Sequence, residues 1–376
     1  PPGQIHAVAD RPRHAHPLPL PATLHRSHRH ALRRHALQRY PTRNLKIATP
    51  LFEPRDLPMF PPSRRPDSRA FHELLDVMQA YEKKFLRRRF LWGDNEFADG
   101  YRSMLDLLSA GLECFVHNSP DTPRFVSVVS PLRKMGGDNA DGLYPFAPLT
   151  PGRSYRVTGT MGAAIYIGFT VYGGDDNERF HLVSNLSTPE VKVDEDGRFE
   201  VVITPSGSVP AASNGAAVNG LRTDDTARCL LVRRYFLDKE GMAQEPGVEE
   251  IEPLDPVEQP GLLTGKEMER QLKALSSFLR GWLNLTPIPM PPVPLAYNRM
   301  AKPRPASTDT GHWSTPDNHH SFGLFRLKED QGLFVRGRAP ECLYWSVHLW
   351  NPYLQTFDYV NHPAALNSSE VELGPD

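Results

Sequence analysis

Apolar residues recur at three- and four-residue steps in two segments, and this spacing predicts two amphipathic helices. The first segment begins at Asp67, and its apolar stripe comprises Phe71, Leu74, Leu75, Met78, Tyr81 and Phe85. The second spans residues 95–116, and its stripe comprises Phe97, Tyr101, Met104, Leu108, Leu112 and Phe115. Because the join between them is short, we expect an antiparallel helical pair within a helical preface at residues 51–123.

After residue 124 the apolar spacing changes to two, which is the period of a β-strand. Strands are predicted at Ser154–Thr160, Ala163–Tyr172 and Arg228–Leu237. One face of the second strand would carry Ile165, Ile167, Phe169 and Val171, and the other Tyr166, Gly168, Thr170 and Tyr172. An antiparallel sheet of this kind buries one face and leaves the other polar or half-exposed.

Turn signals and composition predict the remaining elements. The Glu-Asp-Gly turn between Val191–Asp194 and Arg198–Thr204 predicts a hairpin. Residues 205–220 are rich in Ser, Gly and Ala and are expected to form a mobile loop, whereas 285–316 are Pro-rich and should wrap the surface. A helix at 264–283 would begin with a capping box. Later strands are expected at Gly323–Leu327, Gly332–Arg336, Glu341–Trp350 and Thr356–Val360.

Together these elements predict an α+β fold that is mostly β. We expect an antiparallel, jelly-roll-like β-sandwich with an N-terminal helical pair and one inserted helix. The sandwich domain would occupy residues 124–376.

The first fifty residues differ from the rest in charge and composition. They hold nine basic residues and one acidic residue, Asp10, whereas the remainder holds 34 basic and 43 acidic residues. We interpret residues 1–50 as disordered and non-native, the product of a misread start. A natural disordered tail, a transit peptide and a metal- or nucleic-acid-binding arm remain as alternatives.

The composition of the body argues against several functional classes. An acidic body lacks the basic face that nucleic acid requires, so no nucleic-acid partner is expected. The three cysteines, Cys114, Cys229 and Cys342, have no paired spacing, which favours reduced thiols in a cytoplasmic protein. No apolar run approaches the roughly 20 residues of a membrane span. We predict no cofactor, no metal and no membrane partner.

Four motifs carry a resemblance to a known family. They are KMGGDNADGLY (134–144), SYRVTG (154–159), RRYFLD (233–238) and LYWSVHLWNPYLQTFDY (343–359). On the basis of these motifs, the segment from about residue 70 to residue 376 resembles the bacterial family called domain of unknown function 1214. The resemblance implies a jelly-roll sandwich with attached helices. It also implies a C-terminal truncation, because family members continue beyond the last strand. No agreed reaction comes with the family.

The predicted strand 343–350 offers the most suggestive side chains. Tyr344, Ser346, His348 and Trp350 would share one face, with Trp345 on the other. This face supplies hydrogen-bond donors, an imidazole and flat aromatic area for a polar small molecule or a sugar ring. Packing alone also favours aromatic residues in strands, so a core role is the alternative.

Other candidates for ligand binding lie outside this strand. Arg233 and Tyr235 share a strand face, and a buried arginine needs a carboxylate from the protein or from a ligand. Asn351 and Tyr353 follow the aromatic strand, where Asn-Pro also favours a turn. Asp138 and Asn139 lie in a glycine-rich loop that could face an anion, although their residue types are typical of local turn capping.

Three functional classes are compatible with these features. The first is an enzyme or enzyme-associated subunit that binds a small polar organic or lipid-like substrate in the sandwich cleft. The second is a non-catalytic carbohydrate- or ligand-binding module, and the third is a structural or oligomerisation domain. Signatures such as G-x-S-x-G, H-E-x-x-H and the Walker loop are absent from the sequence, so it does not define a reaction.

Overall fold

The computed structural model describes residues 65–87, 93–174, 180–207, 218–244, 249–257, 261–287, 297–305, 313–328 and 330–374, and residues 4–9 as a strand. Pro1–Arg11 and Arg64–Asp376 belong to one compact unit. The expectation of a disordered start at residues 1–50 therefore falls, apart from 4–9, outside the described residues.

The elements have the following bounds. The helices are α1 (Pro66–Leu86), α2 (Asp94–Phe115), α3 (Lys239–Gln244) and α4 (Gly265–Leu285). The first ten strands are β1 (Gln4–Ala9), β2 (Val126–Ser127), β3 (Gly142–Leu143), β4 (Pro145–Pro148), β5 (Tyr155–Thr160), β6 (Tyr166–Gly174), β7 (Phe180–Ser187), β8 (Arg198–Thr204), β9 (Val218–Arg222) and β10 (Ala227–Tyr235). The others are β11 (Glu250–Pro253), β12 (Arg299–Met300), β13 (Arg304–Pro305), β14 (His319–His320), β15 (Gly323–Leu324), β16 (Leu333–Arg338), β17 (Ser346–His348) and β18 (Ala365–Asn367).

Two sheets form the body of the fold, which is α+β and mostly β as predicted. A six-stranded sheet has the order β2-β4-β10-β6-β7, with β3 also paired to β10, and a four-stranded sheet has the order β11-β5-β8-β9. Small two-stranded sheets join β1 to β16, β12 to β15, β13 to β14 and β17 to β18.

One strand pair departs from the predicted antiparallel pattern. β8 and β9 are parallel, with Val201 beside Asn219 and Ile203 beside Leu221. A parallel neighbour needs a long connection, and the chain between Thr204 and Val218 is long enough for it. The expected mobile loop at 205–220 is therefore wrong at its end, because residues 218–220 belong to a strand.

The face of β6 that was predicted to be buried lies between the two sheets. Ile167, Phe169 and Val171 of β6 are fully buried there, together with Leu230 and Val232 of β10. The four-stranded sheet adds further buried residues: Tyr155, Val157, Phe199, Val201, Ile203 and Leu221. Alternation with period two thus assigns the other residues of β6 and β10 to the opposite face, which we call the outer face. The expectation of a half-exposed opposite face is wrong for Gly168, Thr170 and Tyr172, which are buried as well.

Three helices pack against part of the outer face. α1, α2 and α4 share a core with the sheet residues Phe146, Tyr172, Cys229 and Leu231. The pairs Tyr81 with Ser103 and Phe85 with Gly100 run in opposite chain directions, so α1 and α2 are antiparallel as predicted. The cap at Thr264 is also present, because its side chain accepts a hydrogen bond of 3.2 Å from the Glu267 amide.

Several predicted strands are shorter than expected or do not form. Residues 191–194 make no strand, because Asp194 Oδ1 accepts hydrogen bonds from Asp196 N and Arg198 N and closes a turn. Glu341–Trp350 is extended only over β17, and Thr356–Val360 forms no strand. There Asp358 Oδ1 accepts bonds from Val360 N and Asn361 N, which bends the chain.

The Pro-rich segment 285–316 packs more than predicted. Thr286 is buried and lies 2.7 Å from the Tyr81 hydroxyl. At the other end, the Trp313 ring joins the helix-side core and contacts Tyr172 and Phe180. Its described ends therefore belong to the core and do not wrap the surface.

Candidate functional site

Five tyrosines, Tyr144, Tyr166, Tyr172, Tyr235 and Tyr344, gather over the outer face, and we call them the tyrosine cluster. The register of β10 and β6 places Tyr235 beside Tyr166, Arg233 beside Gly168 and Cys229 beside Tyr172. Because each strand shows every second residue on this face, the polar faces predicted separately for β6 and β10 form one surface.

Tyr235 is the centre of a row of stacked rings. Its ring lies 4.9 Å from that of Tyr166 at an interplanar angle of 16°, and 5.2 Å from that of Tyr344 at 25°. Gly168 makes the row possible, since a Cβ atom there would lie only 2.5 Å from the Tyr166 hydroxyl oxygen. Burial raises the pKa of Tyr235, so its hydroxyl stays protonated at neutral pH.

Arg233 lies on the same face of β10 as Tyr235 and is only 6% exposed. Its Nη1 donates to Thr170 Oγ1 at 3.3 Å, and its Nη2 donates to the Tyr172 hydroxyl at 2.9 Å and to the Trp313 carbonyl. In the described part of the chain no carboxylate lies within ion-pair distance of this guanidinium. The protein carboxylate expected as a partner of Arg233 is thus not found there.

The loop that precedes β3 meets the C-terminal segment through Tyr344. The Tyr344 hydroxyl lies 3.0 Å from Asp141 Oδ2 and accepts a hydrogen bond of 2.8 Å from Asn139 Nδ2. Asn139 Oδ1 also accepts from Asp141 N at 2.8 Å, which confirms its predicted role in a local turn. Burial raises the pKa of Asp141, whose Oδ1 has no hydrogen-bond partner in the described structure.

Ser346, His348 and Trp350 continue from Tyr344 along the chain. Ser346 Oγ lies 2.7 Å from His348 Nε2, and the His348 ring is nearly parallel to Trp350, with centroids 6.1 Å apart. Burial lowers the pKa of His348 to about 4, so the imidazole is neutral at pH 7. His348 Nδ1 is buried and, within the described ranges, no group bonds to it. Within these ranges, no group is therefore placed to orient the ring as the base of a nucleophile–base–acid triad.

Asp138 connects two segments that are distant in sequence. It is 1% exposed, and Oδ1 accepts a hydrogen bond of 3.0 Å from Thr356 N, while Oδ2 accepts one from Thr356 Oγ1. The prediction that Asp138 caps a local turn is therefore wrong, because both of its side-chain oxygens accept from the distant Thr356. Trp350 Nε1 donates to the Asp138 carbonyl at 2.9 Å, and Gly137 N donates to Leu354 O at 2.8 Å. These bonds fix the glycine-rich loop against the C-terminal segment.

A pH dependence of stability follows from the burial of Asp138, which raises its pKa to about 6. A raised pKa means that the folded chain binds the proton more tightly than the unfolded chain does. This contribution is therefore present at low pH and is lost as the pH rises through about 6. We expect Asp138→Asn to remove about 2 kcal/mol of the fall in the free energy of unfolding between pH 4 and 7, measured by urea titration.

The matched control for that experiment is Asp358→Asn. Asp358 is exposed, and the hydrogen bond from Asn361 lowers its pKa, so it contributes no fall in stability over the same interval. If Asp138→Asn and the unmodified chain show the same slope between pH 4 and 7, the assignment of this slope to Asp138 is wrong.

Three predicted site residues do not join the tyrosine cluster. Tyr353 is 1% exposed, donates to the Glu96 carbonyl at 3.0 Å and contacts the ring of Phe85 on the helix side. Asn351 forms the predicted turn, since its Oδ1 accepts from Tyr353 N and Gln355 N. Trp345 is half-buried and lies between two cluster-side residues.

Several residues of the site escaped prediction because their contacts depend on the pairing of distant strands. Tyr144, Tyr166 and Tyr172 belong to this group, as does Asp317, which accepts a hydrogen bond of 2.7 Å from the Tyr166 hydroxyl. Burial and the charge of Arg233 lower the pKa of His320. For Tyr166 and Tyr172 the alternation along β6 was the available signal, whereas Tyr144 and Asp317 come from other segments whose positions no local pattern gives.

Among the described residues, no group of three or more His, Cys, Asp or Glu side chains is placed to hold a metal ion. None of the helices in the described ranges has the length and the apolar character that are needed to cross a bilayer.

No protein-family profile and no curated protein matches the chain. A crystal structure of an uncharacterized protein from Burkholderia cenocepacia is similar, with a TM-score of 0.66 and 21% sequence identity over 82% of this chain and 84% of that one. At this identity the likeness supports the fold alone. A structure of a Vibrio parahaemolyticus protein covers 31% of each chain with a TM-score of 0.22 and 14% identity, which is too little to carry an inference.

Proposed function

We propose that this protein binds a small polar organic molecule in a crevice over the outer face of the six-stranded sheet. The observation that carries the proposal is the position of Tyr235. Its ring is half-buried and stacks between the half-buried rings of Tyr166 and Tyr344, at centroid distances of 4.9 and 5.2 Å. A group of aromatic rings that stays partly open to water beside a buried arginine suits the binding of a small polar molecule.

The chemistry of the crevice suits such a ligand. The end rings of the stack would each offer one aromatic face to a planar group, and the phenol hydroxyl groups supply hydrogen-bond donors beside it. Arg233, Asn139 and Asp141 add polar groups that would fix the orientation of a bound molecule. Such a set of groups supports binding and positioning. It does not contain an oriented nucleophile, so catalysis by this protein is an outcome for the experiment to decide.

We also propose membership of the domain of unknown function 1214 family. Three of the four motifs that carry the resemblance meet in this region. Residues 134–144 supply Asp138 and Asn139, residues 233–238 supply Tyr235, and residues 343–359 supply Tyr344. Motifs that are separate in sequence but adjacent in space fit a shared site better than they fit independent packing.

A thermal-shift screen of the full chain against a metabolite library tests the proposal. A true ligand at 100 times its dissociation constant stabilises the folded state by about 2.7 kcal/mol, which raises the melting temperature by roughly 3–4 °C. We expect Tyr344→Phe, which removes one hydroxyl from the crevice, to reduce that shift strongly. Mass spectrometry of the same mixtures would detect turnover and thereby distinguish an enzyme from a binding module.

The control variant is Tyr101→Phe. This tyrosine is 40% exposed on α2, and its hydroxyl donates to Glu82 away from the crevice. The ligand shift should survive in the control. A shift that Tyr344→Phe leaves unchanged, or a library without any stabilising compound, would favour the alternative that the tyrosines serve packing or oligomerisation only.

A further inference from the structure

We propose that the ligand of the crevice is a monocarboxylate with an aromatic or conjugated body, and that Arg233 binds its carboxylate. This inference rests on the proposed function and narrows it to one chemical class. It begins from a buried positive charge that the described part of the protein does not balance with an adjacent carboxylate.

The burial of Arg233 is unusual in its choice of partners. A guanidinium does not lose its proton in a protein, so burial cannot be relieved by neutralisation. The next residue in the chain, Arg234, lies on the opposite face of β10 and has Glu249 at 3.6 Å. The same strand therefore holds one buried arginine with an adjacent carboxylate and one with neutral oxygen acceptors alone.

The neutral acceptors hold the guanidinium in a fixed orientation. Thr170 Oγ1 donates its own proton to Asn185 Oδ1 at 2.8 Å, and the Tyr172 hydroxyl donates to the Ser314 carbonyl at 3.0 Å. Both hydroxyl groups therefore present lone pairs to Arg233. These two bonds and the bond to the Trp313 carbonyl use three of the five N–H donors of the side chain. The others remain for a ligand that approaches from the tyrosine cluster.

The two carboxylates that border the tyrosine cluster accept hydrogen bonds from its hydroxyl groups and do not pair with Arg233. Asp317 accepts from the Tyr166 hydroxyl, and Asp141 accepts from the Tyr344 hydroxyl at 3.0 Å. Neither lies within ion-pair distance of Arg233. The pKa of Asp317 is lowered, and the charge of this carboxylate would repel a second negative group on a ligand, which favours a monoanion over a dicarboxylate or a phosphate. His320 adds no positive charge that would offset this repulsion, because burial and the charge of Arg233 lower its pKa.

The non-polar part of the ligand is inferred from the stacked tyrosine rings. The rings of Tyr166, Tyr235 and Tyr344 follow one another with interplanar angles of 16° and 25°. The rings of such a stack cover one another's faces, so a planar ring or conjugated group can add face-to-face contact only at an end of the row, on Tyr166 or Tyr344. A carboxylate on that group would then bind the guanidinium of Arg233, which lies on the same sheet face.

Isothermal titration calorimetry of the full chain at pH 7 tests this inference with three probes of similar shape. The probes are 4-hydroxybenzoate, the neutral 4-hydroxybenzamide and the dianion terephthalate. We expect the benzoate to bind at least about tenfold more tightly than either of the others, because charge-assisted hydrogen bonds are the stronger ones. In Arg233→Gln that preference should disappear.

Arg228→Gln is the matched control, since this arginine is exposed on the same strand and its loss changes the net charge equally. The Arg228→Gln variant should prefer the benzoate over the amide and the dianion as strongly as the unmodified chain does. The comparison of acid and amide on the unmodified chain needs no variant, so it decides the inference even if Arg233→Gln does not fold. Equal affinities for acid and amide would overturn the anion site and leave the binding function in place. Failure of the benzoate to bind at millimolar concentration would also overturn it, and the library screen would decide the function separately.

Discussion

Arg234→Ala is expected to lower the free energy of unfolding by about 3–5 kcal/mol, because it leaves Glu249 buried beside an empty position. The side chains of Arg234 and Glu249 are 1% and 2% exposed, and their charged atoms lie 3.6 Å apart. Arg234 Nη2 also donates to the carbonyls of Thr160 and Met161, at 3.1 and 2.7 Å. Guanidinium denaturation followed by circular dichroism at pH 7 measures the loss.

The control for this experiment is Arg156→Ala. Arg156 makes ion pairs with Glu200 and Glu252, at 3.1 and 2.8 Å, but its side chain is 40% exposed. Exposed pairs contribute about 0–1 kcal/mol each, so a small loss is expected here. Similar losses for the two variants would show that burial does not govern the strength of the Arg234 interaction. The double variant Arg234→Met with Glu249→Leu should recover most of the stability, since it removes both charges together.

Phe85→Ala should destabilise the fold by about 3–5 kcal/mol, the range for a fully buried phenylalanine. Phe85 is 0% exposed and lies at the end of α1. Its ring makes edge contacts with Tyr81, Tyr101 and Tyr353 at centroid distances of 6.2, 5.1 and 6.1 Å. The substitution therefore opens a cavity where α1, α2 and the C-terminal segment meet, and urea unfolding would report it.

Phe71→Ala is the matched change on the same helix. Phe71 is 49% exposed, although the sequence placed it on the same apolar stripe as Phe85. We expect its loss to change the free energy of unfolding by no more than about 0.5 kcal/mol. A large effect at Phe71 together with a small one at Phe85 would contradict the packing described for α1.

The elements with strong periodicity could be predicted from the sequence, and the physical reason is local. The steps of three and four residues in α1 and α4 and the alternation in β6 and β10 describe which side of each element is buried. This information is complete within one element. It placed Arg233 and Tyr235 on one strand face and Tyr166 with Tyr172 on another, as the structure has them.

The C-terminal segment was less predictable because turn chemistry competes there with strand propensity. Residues 341–350 contain many strand-favouring side chains, yet only β17 is extended. Asn351 and Asp358 use their side-chain oxygens to satisfy nearby amide groups, which offers the backbone an alternative to a sheet ladder. The turn signals were present in the sequence, but the sequence does not show whether they outweigh the strand preference of the aromatic residues.

The site itself depended on information that no local pattern contains. The stacking of Tyr235 between Tyr166 and Tyr344 requires the register of β10 and β6 and the position of a segment far along the chain. The neutral surroundings of Arg233 were equally unpredictable, because a single sequence gives no indication of which carboxylates lie near it.

The bond between Asp138 and Thr356 has a consequence for the order of events during synthesis. The two residues are 218 positions apart. At translation rates of 5–20 residues per second, Thr356 leaves the ribosome about 10–40 s after Asp138 does. During that interval Asp138 stays hydrated and charged. The rings that Tyr344 later contacts also stay accessible to chaperones or to other nascent chains.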